Sequence, residues 1–301
     1  MLTTILIITY KNEKTIDKLL NKFSNYYKVI VVENSNNLAF KKKLEKKYKN
    51  LSCILTKSNL GFSKACNIGL KKIKSKYALL LSSDVDINHL KINKIERIAT
   101  KINDFSIIAP NSKYTELYIN NNQDKLNINK LNKTSNDKLL EETDKLPGFC
   151  LFLNIKDIRK IKYFDEKIFF YFEDLDLCKR LKRINKKIYL IKNIFVNHNS
   201  STESTTIMRN WNFYWGMFYY HKKHYGYLRT AKLLLGKLIR FFILKNVNYF
   251  YNKNKYLIYS ARFDGLLNQF LNKESKIYKQ FYNNHKKLIN KPKIISDIKM
   301  V

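Results

Sequence analysis

The first hundred residues alternate short β-branched runs with stretches of helical spacing, and this most constrains the fold. Ile5–Thr9, Lys28–Val32 (KVIVV), Leu51–Thr56 and Tyr77–Leu81 (YALLL) are apolar and too short for helices. Between them, Thr15–Phe23, Ala39–Tyr48 and Phe62–Ile73 carry apolar residues at helical intervals. Continuous apolar strands separated by helices predict a parallel sheet covered on both faces. The fold class is therefore α/β, and ligands of such sheets bind beyond the carboxyl ends of the strands. The residues just after each run are Thr9–Glu13, Glu33–Ser35, Ser58–Phe62 and Ser82–Asp86. No P-loop and no GxGxxG follows the first run, which argues against a P-loop nucleotide triphosphatase and a simple dinucleotide dehydrogenase.

Charge is the second constraint. The 301 residues carry 58 Lys and Arg against 24 Asp and Glu, a net charge of +34. Fifty of those cations are Lys, whereas nucleic-acid readers lean on the planar fork of Arg. Much of the excess reads as Lys-rich composition, but its distribution is uneven. Residues 206–301 hold net +16 and residues 1–205 net +18, so the tail is about twice as basic per residue. No apolar run approaches the ~18–20 residues of a membrane-spanning helix, and the N-terminus lacks a signal-peptide pattern. Cys53, Cys66, Cys150 and Cys178 form no CxxC and no Cys/His pair, so reduced thiols in a cytosolic compartment are expected.

Residues 111–145 are polar, rich in Asn and Lys, and read as a mobile insertion near the site. Order returns at Pro147–Leu153. Two acidic groups follow strand-like runs: Asp84-Val85-Asp86, and Glu173-Asp174-Leu175-Asp176 at the start of a helix. A helix start stabilises the anionic form of a carboxylate. Asp86 alternatively caps the helix beginning near Asn88, and Asp176 alternatively caps its own helix or pairs with Lys179 or Arg180.

The segments ITYKNE, VVENSNN, NLGFSKACNIGL, LLLSSDVDI, GFCLFLNIKDI, FDEKIFFYFEDLDLCKRLKR and VNHNSSTES occur in that order. Together they resemble family 2 glycosyltransferases of the GT-A fold, especially rhamnosyltransferase-like and galactofuranosyltransferase-like members. The resemblance covers residues 3 to about 225, where RN…KKHYG (Arg209, Asn210, Lys222–Gly226) fits the rhamnosyltransferase-like subgroup. It implies a catalytic domain at 1–205: a nucleotide-sugar half to about residue 110, a variable insertion at 111–146, and an acceptor half at 147–205. A basic, aromatic helical tail follows at 206–301.

The implied activity is transfer of a sugar from a nucleotide-sugar (UDP-, dTDP- or GDP-linked) to an acceptor hydroxyl, with inversion. The acceptor would be a saccharide, free or lipid-linked, in a surface polysaccharide such as O-antigen or capsule. A divalent cation, Mn²⁺ or Mg²⁺, would neutralise the leaving diphosphate. By resemblance Asp84 and His198 are its ligands, with Asp86 as support. The acid that fuller family motifs carry two positions before Asp84 is Ser82 here. Asp174 is implied as the catalytic base, and Glu173 as its support or an acceptor ligand. Thr9, Tyr10, Glu13, Glu33, Asn59, Gly61, Asn67 and Ser83 are implied around the donor nucleotide. Structural roles for Gly61 and Asn67 stand equally open. Ser200, Ser201 and Ser204 are candidates for diphosphate contact.

The tail's Trp, Tyr, Phe, Lys and Arg suit a helix lying on an anionic membrane, here the cytoplasmic face of the inner membrane. Alternatively it packs on the catalytic domain or on a second copy in a homodimer. No nucleic-acid partner is expected. The rival reading is a catalytically inactive binder that uses its basic surface for nucleic acid or membrane, and a nucleotidyltransferase on a similar sheet is a third.

Overall fold

A computed structural model of the chain describes residues 2–102, 104–120, 139–198 and 206–271. The chain divides into two compact units. The first spans Met1–Glu166 and Glu173–Ser200, and the second spans Lys167–Phe172 and Ser201–Val301. The segment Lys167–Phe172 thus groups with the helical unit, although the motif places it inside the expected catalytic domain.

The first unit begins β1 (Thr3–Thr9), α1 (Glu13–Leu20), β2 (Lys28–Glu33), α2 (Leu38–Lys47), β3 (Leu51–Leu55), α3 (Phe62–Leu70) and β4 (Tyr77–Ser82). These are the expected runs, with ends shifted by a few residues. It continues with β5 (Val85–Asp86), α4 (His89–Lys101), β6 (Ile107–Asn111), α5 (Lys113–Asn120) and β7 (Leu140–Glu142). It closes with β8 (Cys150–Asn154), α6 (Ile155–Lys160), α7 (Glu173–Arg183), β9 (Ile188–Phe195) and β10 (Asn197–His198).

Eight strands form one sheet in the order β3-β2-β1-β4-β8-β6-β9-β7. The β1, β2, β3 and β4 pairings are parallel, as is β6 with β9. β8 runs antiparallel to both β4 and β6, and β7 antiparallel to β9. Side chains alternate across the sheet. Ile5 and Ile7 of β1 enter a core with α1, α2 and α4, while Leu6 and Ile8 enter one with α3, α6 and α7. Both faces are therefore covered. All four cysteines are buried and unbridged, and burial pushes the Cys53 thiol up to about 12.

Within the expected insertion, Lys113–Asn120 is helix and Leu140–Glu142 is strand. Residues 121–138 lie outside the described residues.

The second unit contains α8 (Thr206–Tyr225), α9 (Tyr227–Tyr251) and α10 (Lys253–Phe270). Trp211 and Trp215 of α8 pack on Leu257 and Ala261 of α10, and Phe218, Leu234, Phe241 and Leu266 join all three helices. Gly265 allows the closest approach, since a Cβ there would lie 2.5 Å from the Trp211 carbonyl oxygen. In the same unit, Tyr171 and Phe172 both hold left-handed backbone, at φ 69° and 73°. Such residues cost roughly 1–3 kcal/mol each and persist only where packing fixes them. Here the Phe172 ring packs on Phe213 and Tyr220, and the Tyr171 carbonyl occupies the space that a Cβ on Gly216 would need.

Candidate active site

The sheet's parallel half brings three strand ends together. Thr9 pairs with Glu33, and Ile8 with Ser82, so the loops after β1, β2 and β4 leave the same edge. Asn12 donates to Ser83 Oγ at 3.1 Å, joining the first and third of these loops. Thr9 is buried, and its Oγ1 has no hydrogen-bond partner. Tyr10 is half-buried, with Lys11 Nζ 5.3 Å from its ring centroid.

Several expected nucleotide ligands are engaged in building these loops. Glu33 is buried, and its carboxylate accepts from the Ser35 amide and hydroxyl and from the Asn37 amide. It acts here as a turn builder, with Oε1 carrying only the Ser35 hydroxyl bond. Glu13 accepts from the Asn37 side chain. Asn59 Oδ1 accepts from the Gly61 amide at 3.0 Å and from Asn34 Nδ2 at 3.1 Å. Gly61, at φ 83°, uses the backbone freedom that only glycine has cheaply and leads into α3. Asn67 is buried and bonds both the amide and the carbonyl of Phe164, so in this structure it pins a neighbouring loop.

Past β4, Asp84 meets His198. The two short strands β5 and β10 pair antiparallel, with His198 opposite Val85. His198 Nε2 then lies 3.4 Å from Asp84 Oδ1, and both side chains are largely buried. Octahedral ligands at ~2.1 Å from a metal stand about 3 Å apart, so this carboxylate–imidazole pair fits two adjacent positions on one divalent cation. Among the described residues no third His, Cys, Asp or Glu completes a metal cluster. Asp86 does not cap α4: its carboxylate pairs with Lys22 at the surface, and the cap is Asn88, which accepts from the Lys91 amide.

The second acidic group opens α7. Asp174 Oδ2 accepts from the Gly148 amide at 2.9 Å, and Oδ1 from the Leu175 amide at 2.8 Å. Burial raises its pKa, while these amides oppose the rise. The Tyr118 phenol of α5 lies beside it, its hydroxyl oxygen buried and with no hydrogen bond of normal geometry. Glu173 is buried too, with Oε2 unpartnered, and is pushed up to about 8 first by burial and then by the charge of Asp174. Asp176 is fully buried and pairs with Arg180 Nε at 2.7 Å, the i+4 pairing expected of it.

Two neighbours in sequence connect the acidic group to the Asp84–His198 pair. Gly148 holds Asp174 through its amide, and Phe149 stacks on His198 with centroids 4.6 Å apart and planes 15° from parallel. Tyr114, one helical turn before Tyr118, reaches the same His198 ring at 5.7 Å. Gly148, Phe149, Tyr114 and Tyr118 were not among the expected site residues. The nearest sequence signal is the segment GFCLFLNIKDI, which opens on Gly148 and Phe149. Ser200, Ser201 and Ser204 lie outside the described residues.

The model of glycosyl transferase family 2 matches residues 4–161, more than half of the chain. The chain belongs to that family. It is 24% identical over 223 residues to the low-salt glycan biosynthesis hexosyltransferase Agl10 of Haloferax volcanii, covering 70% of this chain and 71% of that protein. It is 25% identical over 263 residues to the rhamnosyltransferase WbbL of Escherichia coli, covering 77% and 95%. Family 2 membership of the rhamnosyltransferase-like type is thus shared between the motifs and the relatives.

The fold agrees. The mannosyltransferase PcManGT from Pyrobaculum calidifontis, solved with GDP-Man and Mn²⁺, superposes with a TM-score of 0.55 at 10% identity, over 98% of this chain and 82% of that one. Residues 1–349 of S. aureus TarS superpose with a TM-score of 0.51 at 15% identity, over 93% and 92%. This chain spans 54% of a longer TarS chain. The first unit is a GT-A sheet, and the chain continues into a helical region.

Proposed function

We propose that this family 2 member is an inverting glycosyltransferase that moves a sugar from a nucleoside diphosphate sugar to a hydroxyl of a saccharide acceptor. One observation carries the reading: consecutive residues Gly148 and Phe149 hold, respectively, a partly buried carboxylate suited to proton abstraction and the imidazole of a cation-binding pair. A transferase that expels a diphosphate needs both functions in one site.

Asp174 is the base. Its backbone partners at Gly148 and Leu175 fix the carboxylate, which stays partly exposed and so within reach of an acceptor. As the acceptor oxygen attacks the anomeric carbon, Asp174 takes its proton and the sugar–phosphate bond breaks on the opposite face. Glu173 holds its own proton near neutral pH, so it acts as a hydrogen-bond donor to the acceptor beside the ionised base. Asp84 and His198 would hold a divalent cation, Mn²⁺ or Mg²⁺, which when bound supplies Lewis-acid neutralisation of the leaving diphosphate. Asp86 is left out of this set.

The donor nucleoside lies across the ends of β1, β2 and β4, with Thr9, Tyr10 and Ser83 nearest and Glu13, Glu33, Asn59, Gly61 and Asn67 shaping the loops around them. PcManGT with GDP-Man and TarS with UDP-GlcNAc support a nucleotide-sugar donor as the class. Catalysis is assigned to residues 1–205. The relatives' hexosyl- and rhamnosyltransferase names support a hexosyl or deoxyhexosyl donor and a glycan acceptor. A lipid-linked acceptor in a surface-polysaccharide route such as O-antigen or capsule, at the cytoplasmic membrane face, completes the proposal.

The test is a thermal-shift screen of UDP-, dTDP- and GDP-sugars with Mn²⁺, followed by detection of released nucleoside diphosphate with saccharide acceptors. A donor that binds only the folded chain raises its melting temperature. Binding together with transfer supports the reading. Binding of a donor with neither transfer nor hydrolysis favours the inactive binder.

A further inference from the structure

The second unit carries a surface that the transfer reaction does not use. Helix α9 buries one face, with Thr230, Leu234 and Phe241 turned into the unit's core. Its opposite face is apolar as well. Leu228, Leu235, Ile239, Phe242, Ile243 and Phe250 are all exposed, and their spacing places them on one side of a 3.6-residue helix. Phe250 is 80% exposed and Leu228 76%. Scattered exposed apolar residues need no explanation, but a stripe from Leu228 to Phe250, broken only by the polar Lys232 and Asn246, does.

Charge says what covers it. Helix α9 has no acid and five cations, Arg229, Lys232, Lys237, Arg240 and Lys245. Residues 206–271 hold eleven Lys and Arg against the single acid Asp264. A second copy docked isologously on this face would set those cations against one another. Among the described residues no helix is long and apolar enough to cross a membrane. An apolar face flanked by cations and without acids is complementary to an anionic lipid layer. The apolar side chains enter the acyl boundary while Lys and Arg reach the headgroups.

We infer that the outward face of α9 is a membrane-docking surface that lies in the interface of an anionic bilayer. The inference goes beyond the proposed transfer reaction and does not depend on it.

The experiment is flotation of the full chain with vesicles of phosphatidylcholine alone and of phosphatidylcholine with phosphatidylglycerol. The chain floats with the anionic vesicles, much less with the neutral ones, and less again at high salt. The double variant Ile239→Glu with Phe242→Glu, both exposed positions, weakens flotation at least about tenfold, with unchanged circular dichroism and unchanged turnover of a water-soluble acceptor. Lys232→Gln with Lys237→Gln also weakens it about tenfold or more, and removes part of the salt dependence. Flotation equal in wild type and the Glu variant overturns the inference, as does absence of flotation in the wild type. So does a wild-type dimer in light scattering that the Glu variant converts to monomer, which would assign the face to a second copy.

Discussion

The Gly148 amide donates to Asp174 at 2.9 Å, and a Cβ on Gly148 would meet the Asp174 Cβ at 3.4 Å. The loop therefore lies in van der Waals reach of the proposed base. The following residue, Phe149, stacks on His198. One short loop thereby contacts both halves of the proposed chemistry, and substitution in it should separate them.

Phe149→Ala removes the ring stacked on His198. Groups that orient a metal ligand are commonly worth about 10–100-fold in metal affinity. The expected result is Mn²⁺ affinity, measured by calorimetry in the presence of nucleoside diphosphate, weaker by that factor, with the folded spectrum retained. Unaltered affinity would mean that the stacking does not orient the ligand.

Asp84→Asn and His198→Ala each remove one donor of the pair at 3.4 Å. Both should lower turnover by about 100-fold or more, as loss of a major electrostatic stabiliser does. Both should also abolish the enhancement of nucleoside diphosphate binding by Mn²⁺. Asp86→Asn, which only frees Lys22, should leave both quantities near wild type. A Mn²⁺ response that survives in the Asp84 and His198 variants would remove them from the cation site.

Glu173 gives a pH signature. Burial and the Asp174 charge raise it to about 8 from an ordinary 4.5. Below about pH 4.5 both folded and unfolded chains hold the proton, and its contribution to stability is complete. As pH rises toward 8 the unfolded chain releases the proton first, so stability falls through that window and levels off above it. Glu173→Gln lacks this loss. Its melting temperature relative to wild type should therefore rise steadily from pH 5 to pH 8.5. A difference that is flat in pH would show that Glu173 ionises like an exposed carboxylate.

Two glycines of the helical unit should respond with opposite signs. A Cβ on Gly265 meets backbone atoms of α8 at 2.5 Å and 3.2 Å, which cannot rotate away. Overpacking of this kind costs about 1–3 kcal/mol, more than the ~1 kcal/mol that Ala gains over Gly in a helix. Gly265→Ala should lower the melting temperature. A Cβ on Gly236 of α9 meets nothing within 4 Å, so Gly236→Ala should raise stability by up to about 1 kcal/mol. Denaturant unfolding of the two variants checks both.

The strand ends were legible because periodicity and strand burial are local. Ile5–Thr9 and Tyr77–Leu81 each read as buried strands and are so, and the residues after them line one edge. Asp84 and His198 were legible through motif order, although their meeting depends on the two-residue pairing of β5 with β10, which has no propensity signal. Composition hid α5. Its Asn- and Lys-rich surroundings obscure a helix whose Tyr118 sits beside Asp174. The Asp86 cap failed because Asn88 stands nearer the helix start and Lys22, 64 residues earlier, takes the carboxylate. The grouping of Lys167–Phe172 with the second unit rests on Gly216, Phe213 and Tyr220, none of which a reading of the local run can supply.

The central claim is that Asp174 takes the acceptor's proton. The most direct measurement is the turnover of Asp174→Asn with an identified donor and acceptor, beside donor affinity by calorimetry. A positioned base contributes about 10²–10⁴-fold. The account predicts turnover lower by at least that range, with donor affinity within a few-fold of wild type. Turnover near wild type, with the donor bound normally, would contradict it.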